Sequence, residues 1–273
     1  MSTPPQDKPM TFWEHLDELR SRLRAALLAY VVGFGVAWYF REWVLGVLVI
    51  PFRQAWIEQK LPGAPELHFA APGDAFMAYV RQSLLAGLVV AAPVIFWQLW
   101  AFVAPGLYAK EKKSALAFVV ASTGLFAGGG VFGWRAAFPV AFNYFLSLSG
   151  NLGDKGVSIT PTVMMNDYLE FVGRLLLAFG AIFELPLVIL FLSVAGIVNY
   201  VQLWRFGRWF VLIAFTVGAV LTPPDVTSQV IMSVPMCVLY FASIGLAYLF
   251  GKRPTPEQME RYRRKKKSEA NRA

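Results

Sequence analysis

The apolar positions of this 273-residue chain fall into six long runs, each bounded by charge, proline or polar clusters. They are Ala25 to Phe40, Ser83 to Val103, Ala115 to Trp134, Leu169 to Ala195, Trp209 to Thr222 and Val230 to Phe250. Most suit a helix of about 20 residues, the length that crosses the hydrocarbon of a bilayer. The fifth run offers about 14 and falls below the usual spanning length of about 17 to 25. It predicts a short helix that thins the bilayer locally, with a buried or half-spanning segment as the alternative. Ahead of the first run, Phe12, Leu16, Leu19, Leu23 and Leu27 recur at three- and four-residue spacing, and Thr11 with Glu14 makes a capping box after Pro9. This pattern predicts an amphipathic helix leading into the first span, with Glu14, Asp17, Glu18, Arg20 and Arg22 on its polar face. Trp43 to Phe52 is apolar but only about ten residues long, so an interfacial helix or re-entrant segment ending at Pro51 is expected. Thr222-Pro223-Pro224-Asp225 predicts a compact turn between the last two spans.

Composition agrees with this pattern. With 57% hydrophobic and 15% charged residues and a mean hydropathy of +0.51, the chain is too apolar for a soluble domain of this length, and an all-α integral membrane protein is expected. With six spans both termini share one side. That side holds 18 of the 25 lysines and arginines, among them Lys110, Lys112, Lys113, Arg205 and Arg208, so both termini are expected in the cytoplasm. The chain divides into a cytoplasmic tail with its amphipathic helix (1–24), a six-helix membrane domain (25–250) and a basic cytoplasmic tail (251–273). That last tail carries +6 of the net +8. Directly after a span, such a run is expected to meet anionic lipid headgroups, and no nucleic-acid partner is expected. No cleavable signal peptide is predicted, and the single cysteine, Cys237, is expected to serve packing.

Glu184 breaks an otherwise apolar run, Leu175 to Leu192. A carboxylate at the centre of a spanning helix costs about 2.5 to 3.5 kcal/mol on insertion scales, which makes it a functional residue by default. The bland alternative is a protonated acid bonded to a neighbouring helix. Gly124, Gly128, Gly129 and Gly133 form two small-xxx-small pairs that predict close helix packing. His15 and His68 are isolated, with no cluster at metal-ligand spacing, so no metal, cofactor or catalytic site is expected. There is no Walker-type phosphate loop, and any work must come from partners or from the membrane potential, which supplies about 2.3 kcal/mol per charge per 100 mV. An ion-coupled secondary transporter using Glu184 is the alternative function, weakened because no inverted repeat is visible. A scaffold for partner spans is a third.

Five ordered stretches carry a resemblance. His15-Leu16-Asp17-Glu18-Leu19-Arg20-Ser21-Arg22-Leu23 precedes the first span. Ala92-Pro93-Val94 follows, with the stretch from Gln98 through Phe102 and Pro105 to Tyr108, then Glu111. Phe138-Pro139 comes next, then Phe179-Gly180 with Phe183-Glu184-Leu185-Pro186, and last Leu221 to Asp225 with Ser228-Gln229. Together they resemble the TatC family, the multi-spanning receptor subunit of the twin-arginine (Tat) protein translocase, over residues 12 to 250.

The resemblance implies a concave wall of six helices, its fifth and sixth short, in the bacterial inner (cytoplasmic) membrane. It implies an oligomeric receptor that binds twin-arginine signal peptides of folded cargo on the cytoplasmic face. TatA-like and TatB-like single-span partners would join it for export driven by the proton-motive force. Two guanidiniums call for two carboxylates, and the family's recognition acids fall on Glu18 and Glu111, with Phe102 beside the latter and Arg20 orienting the site. Glu18 and Arg22 at i,i+4 can equally be a solvent-exposed pair. Lys112 stands where the family commonly has arginine, which keeps charge and loses the fork. Glu184 becomes the polar spot on that wall, expected to pair with a polar residue of a partner helix or to thin the membrane by drawing water inward. Pro51, Pro105, Pro223, Pro224 and Asp225 are expected to shape loops or assembly.

Overall fold

A computed structural model describes residues 12–103, 112–151, 158–222, 225–254 and 259. Thr11, Pro105, Glu111, Pro223 and Pro224 lie outside the described residues. Nine α-helices dominate these residues: α1 Phe12–Tyr39, α2 Arg41–Glu58, α3 Asp74–Val103, α4 Lys112–Phe132, α5 Phe138–Ser147, α6 Met165–Phe183, α7 Leu185–Ala195, α8 Tyr200–Leu221 and α9 Val226–Phe250. Helices satisfy every backbone polar group within one segment, which is what hydrocarbon demands. Five spans pass on length and apolarity, and the bent pair α1–α2 makes a sixth. The protein is an all-α membrane protein. α8 and α9, at 22 and 25 residues, are the shortest of the five unbent spans, the others having 30 to 32.

Several boundaries differ from the sequence reading, each for a local reason. The amphipathic segment and first span form one continuous 28-residue helix, and the chain then turns by 78° into α2. α2 does not stop at Pro51. It runs through this buried proline to Glu58, because Phe52, Ala55 and Trp56 beyond it are buried and Asn143 donates to Glu58 Oε2 at 2.7 Å. The third span continues past Trp134 through a π-helical segment, Gly133–Ala137, into α5. Pro139 has no N–H to give to residue 135, and the widened turn absorbs that loss. The fourth span divides at Glu184 into α6 and α7, with Pro186 in the first turn of α7. The fifth helix begins nine residues before Trp209. Asn199 Oδ1 accepts from Val201 and Gln202 N–H at 3.1 and 3.0 Å, and Gln202 Oε1 accepts from Asn199 N–H at 3.0 Å, a complete capping box. Its 22 residues are long enough to cross, and Arg205 and Arg208 lie inside the helix instead of ahead of it. α9 starts at Val226, four residues early, because Asp225 caps it by accepting from Ser228 N–H at 2.7 Å.

The described residues divide into two compact units. In the unit of residues 1–49, 67–127 and 163–170, α1 packs along α3. The helices cross where Gly33 meets Gly87: a Cβ on Gly87 would lie 2.7 Å from both the Cα and the backbone nitrogen of Phe34. Small residues let spanning helices approach this closely. Trp100 Nε1 donates to the buried Ser122 Oγ at 2.7 Å, tying α4 to α3. Strands Leu67–His68 and Val163–Met164 pair in parallel.

The second unit holds residues 50–66, 128–162 and 171–273. Here α8 and α9 form an antiparallel hairpin: the Phe210 and Tyr240 rings stack at 3.9 Å, Tyr240 donates to Leu203 O at 2.7 Å, and Ser233 donates to Ala214 O at 3.1 Å. Gly129 and Gly133 of the third span pack on Phe179, whose carbonyl leaves no room for a Cβ on Gly129. Gly124 and Gly128 meet nothing within 4 Å among the described residues, so only one of the two small-residue pairs serves internal packing. Strands Gly150–Asn151 and Ser158–Ile159 pair antiparallel.

Two outcomes follow for stability. Gly87→Ala forces backbone apart and is expected to lower unfolding free energy in detergent by about 1 to 3 kcal/mol, while Gly124→Ala, in open space, leaves the thermal midpoint unchanged or raised. Asp225→Ala removes the α9 cap and is expected to cost about 1 kcal/mol in the same thermal assay, whereas Asp225→Asn retains most of it because an amide oxygen caps as well.

Candidate functional site

The polar face of α1 begins as soon as the helix does, and the spacing of His15, Glu18 and Arg22 puts all three on one side of it. Glu18 precedes Arg22 by four residues, the favourable order for an acid–base pair on a helix. Arg22 donates through Nε and Nη2 to the same oxygen, Glu18 Oε1, at 2.8 and 2.6 Å. Its Nη1 reaches Gln98 Oε1 on α3 at 3.4 Å. The pair is sheltered: the side chains of Glu18 and Arg22 are 18% and 27% exposed, so the solvent-exposed alternative does not hold.

Glu18 Oε2 is left differently placed. It is buried and accepts no hydrogen bond among the described residues, and His15 Nδ1 lies 3.9 Å from it. A carboxylate has about four lone-pair positions, so this oxygen can still accept a donor pair. His15 itself lies stacked on Phe102, ring centroids 4.4 Å apart and planes within 14°. Phe102 is the penultimate residue of α3, so the stack joins the start of α1 to the end of α3 immediately beside the carboxylate.

The structure therefore brings Glu18 and Phe102 to one place. Arg20 is on the same helix but exposed, and Glu111 and Pro105 belong to the segment between α3 and α4 that lies outside the described residues. Pro51 and Asp225 sit within α2 and at the start of α9, where each has the local role given above. Glu184 lies at the α6–α7 break, half-buried, its carbonyl accepting from Leu187 and Val188 N–H at 3.1 and 2.9 Å. No group of three or more His, Cys, Asp or Glu among the described residues could hold a metal ion.

His15 and Gln98 are the members to which sequence reasoning gave no role, although both lie in the stretches quoted above. His15 was expected to be an isolated interfacial side chain, yet its i,i+3 relation to Glu18 signals a shared face. Gln98 gives no such signal, because its relation to Arg22 spans 76 positions and exists only once α1 lies along α3.

Comparison with known proteins matches the chain to a family. Residues 14–235 match the family model described as Sec-independent protein translocase protein (TatC). The chain is 38% identical over 255 residues to the Sec-independent protein translocase protein TatC of Desulforapulum autotrophicum, covering 93% of this chain and 90% of the relative. It is 35% identical to the TatC of Aquifex aeolicus, covering 88% of this chain and 95% of that one. A crystal structure of the twin-arginine translocase receptor TatC superposes with a TM-score of 0.75 at 35% identity, over 87% of this chain and 99% of that one. The chain belongs to the TatC family of Sec-independent protein translocase components.

Proposed function

We propose that this chain is the receptor core of a twin-arginine translocase and that Glu18 receives one of the two signal-peptide arginines. The observation that carries the reading is the half-occupied carboxylate: Arg22 fills Glu18 Oε1 and fixes its rotamer, while Oε2 stays buried beside the His15–Phe102 stack. A guanidinium is permanently charged and presents its donors as a planar fork, and partial burial strengthens its bond to a carboxylate. The exposed face of such a stack also suits a flat cation. The second arginine is assigned to Glu111, in the segment that follows the end of α3 at Val103. Arg20, exposed on the same helix, steers or orients at the rim.

In this reading both termini and the site face the cytoplasm, as the distribution of lysine and arginine supports. The membrane is the bacterial inner membrane. The protein catalyses no bond chemistry. It gathers TatA-like and TatB-like single-span subunits, and the membrane potential drives transport. Glu184, half-buried where the fourth span breaks, is the point at which a polar residue of a partner helix is met.

Binding of a twin-arginine signal peptide to the protein in nanodiscs tests the receptor assignment. The peptide is expected to bind about tenfold or more tightly than its twin-lysine version, and Glu18→Ala or Glu111→Ala should each remove most of that difference. Equal binding of both peptides would overturn the reading and return the transporter and scaffold alternatives. The Glu184 assignment is tested separately by cross-linking to single-span partners. Glu184→Ala is expected to reduce the yield and Glu184→Gln to retain part of it, and no change in either variant would sink the assignment.

A further inference from the structure

His15 meets Phe102, Arg22 meets Gln98 and Gly33 meets Gly87, so α1 and α3 run antiparallel. From Gly33 back to Arg22 is eleven positions, and from Gly87 on to Gln98 is eleven as well. Eleven residues make about three turns of an α-helix, so both side chains return to the face on which the glycines touch. Phe102, four positions past Gln98, keeps to that face and takes the His15 ring. The close glycine contact thus delivers an uncharged acceptor, Gln98 Oε1, opposite the Arg22 guanidinium.

An arginine beside a carboxylate frequently grips both oxygens with two parallel N–H bonds. Arg22 does not. Its Nε and Nη2 both end on Glu18 Oε1, at 2.8 and 2.6 Å, and Oε2 accepts no hydrogen bond among the described residues. The remaining terminal nitrogen, Nη1, donates to Gln98 Oε1 at 3.4 Å. To take Oε2 as well, the guanidinium must pivot about Oε1, and that motion carries Nη1 off Gln98. Arg22 and Gln98 are both half-buried, so water is a poor replacement for the bond that the pivot breaks.

We propose that Gln98 is a positioning residue that keeps this site open: by holding Nη1 it stops Arg22 from closing its fork over both oxygens of Glu18, and so preserves Oε2 for an arginine of the signal peptide. The inference rests on the assignment of Glu18 given above and adds to it a residue that acts through Arg22, without touching the peptide. Without the acceptor at position 98 the internal pair becomes bidentate, its strongest form, and a guest guanidinium must break it before binding. Selectivity suffers most from that closure. A planar fork needs a free oxygen in a fixed direction, whereas an ammonium is a compact point charge with rotatable donors.

The test is a double-mutant cycle on the full-length protein in nanodiscs, read as the preference for a twin-arginine over a twin-lysine signal peptide, the ratio of their Kd values. Q98L is expected to lower that preference about fivefold to tenfold, with Q98A in its place if the leucine variant folds poorly. Q98E, which keeps an acceptor for Nη1, is expected to retain most of the preference. In an R22K background there is no fork to close, so adding Q98L should change the preference by less than about twofold. If R22K binds neither peptide, the contrast between Q98L and Q98E decides. The proposal is overturned if Q98L keeps the wild-type preference, if Q98E loses as much as Q98L, or if Q98L costs as much with R22K as without it. E18A in the same titration separates the two levels. A preference that survives E18A sinks the Glu18 assignment itself, whereas one lost in E18A and kept in Q98L sinks only the role of Gln98.

Discussion

Hydrocarbon offers no partner to a peptide N–H or carbonyl, and that single constraint accounts for most of the architecture. It requires helices through the membrane, and it removes the hydrophobic effect as a force between them. What remains is close packing. Gly33 against Gly87 and Gly129 against Phe179 are two places where that packing is tight, since a single added Cβ would meet backbone atoms at each. Polar contacts add to it: between α8 and α9 they reach from side chain to backbone, Tyr240 to Leu203, Ser233 to Ala214 and Gln229 to Phe215, while Trp100 to Ser122 joins α3 and α4 through side chains.

Proline perturbs this frame with different results at different positions. Pro51, Pro93 and Pro235 lie inside helices that continue past them, while Pro139 accompanies a π-helical segment and Pro186 a break. The break leaves Glu184 at a helix start, where the missing donor of a proline in the first turn costs nothing. An acid at a point where the span has already lost its regularity is easier to accommodate than one in mid-helix.

The α1 face that carries Glu18 combines a rigid support with a half-used carboxylate. Arg22, held by Gln98, commits one oxygen of Glu18 and leaves the other buried. His15 and Phe102 clasp the two helix ends that carry it. A carboxylate that was fully paired would have little to give a guest, and one that was unsupported would lose rotamer entropy on binding; this one avoids both.

The sequence by itself determined the membrane class, the number of apolar runs and the charge asymmetry, because each can be read along the chain without knowing how it folds. Its helix limits erred where a polar cap lay outside the apolar run, as at Asn199 and Asp225, or where buried side chains carried a helix through proline, as at Pro51. Spacing alone could not tell which glycine pair packs: Gly129 and Gly133 do, Gly124 and Gly128 do not. Only the tertiary structure decided that Glu18 and Arg22 form a sheltered pair, with one Glu18 oxygen unpaired among the described residues, since Arg22 meets Gln98 on a different helix. Local patterns follow from propensity and periodicity, whereas burial of a charged pair depends on which distant segment is folded over it.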